Sequence, residues 1–278
     1  MDLLALRVRE ADTRWVVAWS QALDSGELAQ ADRFRRSEDR ICYIAAHALL
    51  RTALGAATGR PPASLVFGRG LFGKPFLPAA PALHFSLTHT KGLTAVALHT
   101  SPVGCDAEPA DRRVEEATFS IMAEEERVWL LGLPTAIVRQ QAFIRLWVIK
   151  EAYVKALGLG LSLDPASYAF DLTGSEVILR RAPAGYADTT MWHFFAKDFG
   201  AIPAAVDADP CTHRHGPEKP GHDERASRAT DADITHTVGL AVQGSLDLPD
   251  GCLLREMSAE AVAAAASHGP PLQIRKRA

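Results

Sequence analysis

Two long segments with helical periodicity, each followed by short strand patterns, constrain the fold more than any other feature of the sequence. The first runs from Glu27 to Ala57 and the second from Thr135 to Leu157, where Gly158 ends it. Three strand patterns follow the first helix and four follow the second: Leu83–Leu87, Thr94–Leu98, Val103–Glu108, Tyr168–Leu172, Val177–Leu179, Trp192–Phe195 and Val238–Val242. This order predicts an α+β protein with two similar halves, without any residue-level repeat.

Other segments give weaker local predictions. The apolar run Trp15–Trp19 predicts a short strand, and Glu115–Leu131 predicts a further helix. Residues 207 to 233 are rich in charged residues, His, Pro and Gly, which predicts a mobile insertion because such a segment buries too little to offset its ordering entropy. The Ala-rich helix Ser258–His268 and the basic tail after it are expected to be peripheral.

Composition limits the classes of function. The 278 residues are 47% hydrophobic, and 30 Lys+Arg against 33 Asp+Glu leave a formal charge of −3, so no large basic surface for nucleic acid is expected. No uninterrupted apolar run is long enough for a membrane span, and the N-terminus meets charged residues too soon for a signal peptide. Four scattered cysteines form no metal or disulfide pattern, which indicates reduced thiols and a cytoplasmic protein: Cys42, Cys105, Cys211 and Cys252.

Paired carboxylates are the first candidate for chemistry. In a strand from Val103 to Glu108, alternation places Asp106 and Glu108 on one face, about 6.5–7 Å apart along the strand. Carboxylate oxygens from two such residues can bind one hard cation. Taken alone, the segment fits a solvated strand end better.

The second candidate lies on the second long helix. Trp147, Glu151 and Lys155 are spaced four residues apart and share one face, and Lys150 stands beside them. A Glu with a Lys one turn later is ordinarily a surface pair, but the apolar neighbours here favour a pair that is half-buried or faces a site.

Three weaker features offer groups for an anion. Thr88-His89 ends a strand with a hydroxyl and an imidazole, Gly73-Lys74-Pro75 forms a turn whose backbone could approach a flat ligand, and Arg36 and Arg40 belong to an arginine cluster. Each also fits an exposed turn or a solvated helix face when it is considered alone.

Together these motifs resemble one family. Gly73-Lys74-Pro75, Phe85 to Thr90, Gly104 to Glu108 and Trp147-x-x-Lys150-Glu151-Ala152-x-x-Lys155 occur in the order found in the 4′-phosphopantetheinyl transferases, most closely the surfactin-synthetase-activating (Sfp-type) group. The resemblance implies two α/β-sandwich-like halves related by pseudo-two-fold symmetry. It places the coenzyme A-binding half at 1–102, the catalytic half at 103–258 and a peripheral helix and tail at 259–278.

The implied activity is transfer of the phosphopantetheine arm of coenzyme A to a serine of an apo acyl or peptidyl carrier protein, by a monomer. The class is that of the holo-[acyl-carrier-protein] synthases. The resemblance implies that Mg²⁺ binds Asp106, Glu108 and Glu151, that Glu151 accepts the serine proton, and that Lys155 stabilises the departing phosphate.

Coenzyme A would contact both halves. Thr88 and His89 would hold its phosphates, while Lys74 and Pro75 would flank its adenine. The family has a basic residue, nine positions before the arginine matched to Arg51, that binds the 3′-phosphate. That position falls on Cys42 here, so Arg40, with Arg36, is the alternative for this contact.

Two other classes of function remain open from the sequence. A Mg²⁺-dependent phosphohydrolase acting on coenzyme A or a nucleotide would use the same three carboxylates with water as the nucleophile. A metal-handling protein would use one cysteine and four histidines whose spacing matches no closed site: Cys211, His213, His215, His222 and His236.

Overall fold

The computed structural model describes residues 1–186, 191–200, 234–244 and 254–267 and has an α+β fold, as the sequence predicts. The elements up to residue 102 are β1 (Asp2–Arg7), α1 (Val16–Ser20), α2 (Ser25–Ala31), α3 (Ser37–Thr58), β2 (Gly68–Arg69), β3 (Pro75–Phe76), β4 (His84–Thr90) and β5 (Leu93–His99). The elements after it are β6 (Val103–Pro109), α4 (Glu124–Gly132), α5 (Ala136–Leu157), β7 (Ala169–Asp171), β8 (Ile178–Arg181), β9 (Trp192–Phe199), β10 (His236–Gln243), β11 (Leu254–Met257) and α6 (Ala259–Ala266).

Two sheets pack face to face between the helices. The first has the strand order β11-β1-β5-β4 and the second the order β6-β10-β9. Alternate residues of each strand therefore enter different cores. In β1, Leu3 and Ala5 belong to the core between the sheets, whereas Leu4 and Leu6 pack in the core beneath α3. The result is a four-layer arrangement with α3 and α5 on opposite outer sides.

The two long helices have the same length and the same kind of end. Both α3 and α5 have 22 residues and end at a glycine in the left-handed region, Gly59 with φ 69° and Gly158 with φ 74°. The Thr135 side chain caps the start of α5 by accepting a hydrogen bond from Val138 N–H. By length and composition α3 could also cross a membrane, but 61% of its most apolar window is buried inside the fold.

Two glycines let α5 lie unusually close to the second sheet. A Cβ on Gly104 of β6 would stand 1.9 Å from the Ala152 carbonyl oxygen, and one on Gly239 of β10 would stand 2.5 Å from that of Val148. Neither position could hold a side chain without moving the helix. This close approach brings the α5 side chains level with those of β6.

The prediction of a strand over Trp15–Trp19 is wrong, because this segment is helical and ends in α1. Five apolar residues are too few for their periodicity to separate a helix from a strand. Burial of Trp19, whose indole N–H donates to Ala259 O at 3.1 Å, selects the helix. The true first strand, β1, was not predicted because its Leu and Ala residues favour helices when they are isolated.

Two segments that were predicted as single helices, Glu27–Ala57 and Glu115–Leu131, are each interrupted in the structure. The Glu27–Ala57 helix is broken at residues 32–36, a charged stretch with little apolar surface to bury. Buried Arg51 joins the two pieces, since its guanidinium donates to Glu27 and Asp24 at the start of α2. The Glu115–Leu131 helix is divided by Met122 and Ala123, which are extended and buried.

The C-terminal helix is not peripheral, contrary to the sequence-based expectation. Val262 and Ala263 of α6 are buried in the core beneath α3, and β11 pairs in parallel with β1 in the first sheet. Residues 254–267 thus pack with the first half of the chain. The expected division into a catalytic half that ends at 258 and a peripheral segment after it therefore does not describe how this segment packs. The polar insertion 207–233 and the basic tail lie outside the described residues.

Candidate active site

A cluster of one lysine and three carboxylates forms where α5 lies against β6. Alternation along β6 places Asp106 and Glu108 on one face, as predicted, and the structure turns this face toward α5, while Cys105 enters the core between the sheets. On α5, Glu151 and Lys155 are one turn apart and face the same strand. Asp106 is the most enclosed of the carboxylates, with 7% of its surface exposed.

Asp106 receives two donors on one oxygen. Lys155 Nζ lies 2.6 Å from Asp106 Oδ1, and the Thr88 hydroxyl of β4 donates to the same atom at 3.1 Å. Burial lowers the pKa of Lys155, but Asp106, Cys105 and Glu151 together outweigh this effect, so the net shift is upward. Lys155 therefore remains an ammonium at neutral pH.

The two glutamates carry raised pKa values. Burial raises the pKa of Glu151, and the charges of Asp106 and Glu108 add to it. Burial also raises the pKa of Glu108, although the neighbouring Arg112 guanidinium pairs with it. Both glutamates therefore take up a proton more readily than a solvated glutamate does.

The carboxylates are not gathered around one point in this structure. Among the described residues, no group of three or more His, Cys, Asp or Glu side chains is arranged to hold a metal ion. Asp106 is paired with Lys155, and Glu108 with Arg112. Their oxygen atoms nevertheless suit a hard cation. Such a cation would neutralise the negative charge of the three carboxylates and so relieve their mutual repulsion.

An aromatic and histidine group adjoins this cluster. His89 at the end of β4 lies against Tyr43 of α3, with ring centroids 6.4 Å apart, and Tyr43 lies 4.2 Å from His47. Partial burial lowers the pKa of His89, and the nearby His47 and Lys155 lower it further. His47 and Tyr43 were not singled out in the sequence, although their four-residue spacing on a helix places both on one face.

Thr88 and Lys74 make contacts other than those implied by the resemblance. The Thr88 hydroxyl is buried and donates to Asp106, so it contacts a proposed metal ligand. The Lys74 ammonium donates to Val103 O at 3.1 Å and to Ala156 O at 3.0 Å. It thereby bridges the turn of the first half to β6 and α5 of the second, whereas Pro75 is exposed.

The basic residues of α3 are divided between surface and core. Arg36 is exposed immediately before the helix, and Arg40 pairs with Asp32 at 3.0 Å. Cys42 has 8% of its surface exposed and belongs to the core beneath the helix. A ligand phosphate at the position of its thiol is therefore excluded. Arg36 and Arg40 are among the accessible cations at this end of α3, where Arg33 and Arg35 are also exposed.

Comparison with known proteins places this cluster in a family. A family model described as the 4′-phosphopantetheinyl transferase superfamily matches residues 102–207, a range that contains Asp106, Glu108, Glu151 and Lys155. The 4′-phosphopantetheinyl transferase HetI of Nostoc sp. is 35% identical over 170 residues, which is 58% of this chain and 70% of that protein.

Two Bacillus relatives have similar coverage. A 4′-phosphopantetheinyl transferase of Bacillus subtilis is 29% identical over 59% of this chain and 73% of its own length. The transferase psf-1 of Bacillus pumilus is 31% identical over 56% of this chain and 66% of its own. The solved holo-[acyl-carrier-protein] synthase of Thermotoga maritima is 19% identical with a TM-score of 0.31, over 52% of this chain and 64% of that one.

These relatives are named as transferases, and the phosphohydrolase alternative has no support among them. Two of the four motifs that carried the resemblance, Gly104 to Glu108 and Trp147 to Lys155, lie in the matched range. In the structure Lys155 contacts Asp106, and Glu151 lies close enough to interact electrostatically with both. The chain is a member of the 4′-phosphopantetheinyl transferase superfamily.

Proposed function

We propose that the protein transfers the 4′-phosphopantetheine arm of coenzyme A to a serine hydroxyl of an apo acyl or peptidyl carrier protein and releases adenosine 3′,5′-bisphosphate. It would act in the cytoplasm as a monomer, in the class of holo-[acyl-carrier-protein] synthases. The observation that carries the proposal is the contact of Lys155 with Asp106 beside Glu151, at the close packing of α5 on β6.

The reaction exchanges one oxygen for another at phosphorus. The serine oxygen bonds to the phosphorus that bears the pantetheine arm, and the bond from this phosphorus to the bridging oxygen of the pyrophosphate breaks. Glu151 accepts the serine proton, directly or through a water, and its raised pKa makes it a better base than a solvated glutamate. The ammonium of Lys155 stabilises the charge that develops on the departing phosphate.

Mg²⁺ is the proposed cofactor, held by Asp106, Glu108 and Glu151. The ion would neutralise the negative charge on the pyrophosphate oxygens. The donor set and its excess negative charge support this assignment. Because Lys155 and Arg112 occupy two of the carboxylates here, we expect these ion pairs to loosen when the metal and coenzyme A bind.

Coenzyme A would lie between the cluster and the basic end of α3. His89, with His47 beside it, would donate to a phosphate, and the binding of an anion would raise the low pKa of His89. Arg36 and Arg40 would hold the 3′-phosphate, and Pro75 would flank the adenine. We assign Thr88 and Lys74 indirect roles, through Asp106 and through the backbone of α5, respectively.

Mass spectrometry of an apo carrier protein incubated with the protein, coenzyme A and Mg²⁺ tests the proposal. The carrier should gain the mass of one phosphopantetheine at a serine, and omission of either coenzyme A or Mg²⁺ should prevent the gain. Release of phosphate from coenzyme A without any carrier, with no modification of a panel of carriers, would instead indicate a hydrolase.

A further inference from the structure

A buried ion pair lies behind the catalytic face of α5. Lys150 Nζ is 2.8 Å from Glu126 Oε2, and both side chains have no solvent exposure. Lys150 directly precedes Glu151 in the chain but points to a different side of the helix, about 100° from Glu151 and about 140° from Lys155. Neither Lys150 nor Glu126 takes part in the proposed reaction.

The pair is fully hydrogen-bonded and connects separate segments of the chain. Lys150 Nζ also donates to Pro165 O at 2.9 Å and to Tyr168 O at 2.8 Å, so all three of its N–H groups have an acceptor. The Glu126 carboxylate accepts hydrogen bonds from Phe170 N at 2.8 Å and from Ala123 N at 3.0 Å. The start of α4 and residues 165–170 are thereby joined to one point on α5.

Stability alone gives a poor reason for this arrangement. Desolvation of two buried charges offsets much or all of their attraction, and apolar residues of similar volume often stabilise such a site better. What an apolar contact lacks is direction, since it would allow α5 to turn by small angles. Close packing on Gly104 and Gly239 sets the distance of α5 from the sheet. The pair of Lys150 with Glu126 adds a directional contact on another side of the helix.

We propose that Lys150 and Glu126 are positioning residues, which fix the rotation of α5 so that Glu151 and Lys155 face Asp106. This inference rests on the proposed transferase function. A rotation that moves the Glu151 and Lys155 side chains by about 1 Å would suffice to slow transfer about 100-fold. Binding of coenzyme A, which depends largely on β4 and α3, should be affected much less.

The experiment compares Glu126→Gln with Glu125→Gln. Glu125 is the matched control because it is adjacent on α4 and its carboxylate pairs with the exposed Arg181. Glu126→Gln should lower kcat about 100-fold with the KM for coenzyme A within twofold, whereas Glu125→Gln should match the wild type. Rates are expressed per folded molecule, with the folded fraction taken from circular dichroism.

A second variant separates positioning from stability. Lys150→Met combined with Glu126→Leu replaces the pair by apolar side chains. We expect this double variant to unfold at a higher temperature than Lys150→Met alone but to keep a kcat at least tenfold below the wild type. Wild-type kcat in the double variant would overturn the inference, because the pair would then only fill the core.

Three further outcomes would also count against the inference. Loss of folding in Glu126→Gln, in Lys150→Met and in the double variant would make the pair purely structural. Activity that falls only in proportion to the folded fraction would lead to the same conclusion. A wild-type protein that modifies no carrier in the same assay would instead overturn the proposed function, and the inference with it.

Discussion

Lys155 and Asp106 form the ion pair at the centre of the proposed reaction, with Lys155 Nζ and Asp106 Oδ1 2.6 Å apart. Lys155→Met should lower kcat about 100-fold while changing the KM for coenzyme A by less than threefold, because the charge that Lys155 stabilises develops only as the bond breaks. Steady-state kinetics with a carrier protein measure both constants. Lys197→Met, at an exposed position on β9, is the control. A change confined to KM would make Lys155 a ground-state binding residue.

Cys42 shows how an alignment register can suggest the wrong environment. If its thiol faced coenzyme A, Cys42→Arg would supply a cation to the 3′-phosphate and tighten binding. Because Cys42 lies in the core beneath α3, we expect the arginine to lower the free energy of unfolding by about 3 kcal/mol or more. Cys42→Ala should cost much less, and urea denaturation measures both variants. A stable Cys42→Arg protein with a lower KM for coenzyme A would show that the thiol faces the ligand.

At the scale of elements, the close packing of α5 on the second sheet depends on Gly104. Gly104→Ala places a methyl group where the Ala152 carbonyl stands, so α5 must move away from β6 and carry Glu151 with it. We expect transfer to fall at least tenfold and the unfolding free energy to drop by about 1–3 kcal/mol. Gly132→Ala on α4 is the control, because nothing lies within 4 Å of a Cβ there. Equal activity in the two variants would mean that this close approach is not needed.

The elements that could be predicted from the sequence are those whose local residue pattern is enough to determine their secondary structure. The 22-residue α5 has a capping threonine, a long helical run and a terminal glycine, and the strands β4 to β6 have short apolar patterns between turns. By contrast, β1 is a strand through its pairing with β5 and β11, and β11 pairs with β1 from the other end of the chain. A local pattern contains no information about such a distant partner.

The candidate site was predictable to a similar extent. Alternation along β6 and the spacing on α5 predict which side chains share a face, and the structure brings Asp106 together with Lys155. The pair of Lys150 with Glu126 was not predicted, since its partners are 24 positions apart and lie on different helices. The contact of Lys74 with the end of α5 was not predicted either, because it depends on how the two halves pack.

At the scale of the whole molecule, Lys74 links the two halves, and its ionisation should make this link depend on pH. Burial lowers the pKa of Lys74 from 10.5 to about 8. Between these values the unfolded state binds more protons than the folded state, so the contribution of Lys74 to stability rises as the pH increases from about 8 to 10.5. The unfolding free energy of the wild type, relative to that of Lys74→Met, should therefore increase between pH 7.5 and pH 10. A difference that is independent of pH would show that folding does not lower the pKa of Lys74.

We propose above that the carboxylates of β6 and α5 support the transfer of phosphopantetheine to a carrier protein. The most direct measurement is the mass of an apo carrier protein after incubation with coenzyme A, Mg²⁺ and either the wild type, Asp106→Ala or Glu151→Ala. We expect the wild type to add one phosphopantetheine, and each variant to add none while its circular dichroism spectrum remains that of the wild type. Modification of the carrier by either variant at a rate near that of the wild type would contradict the claim.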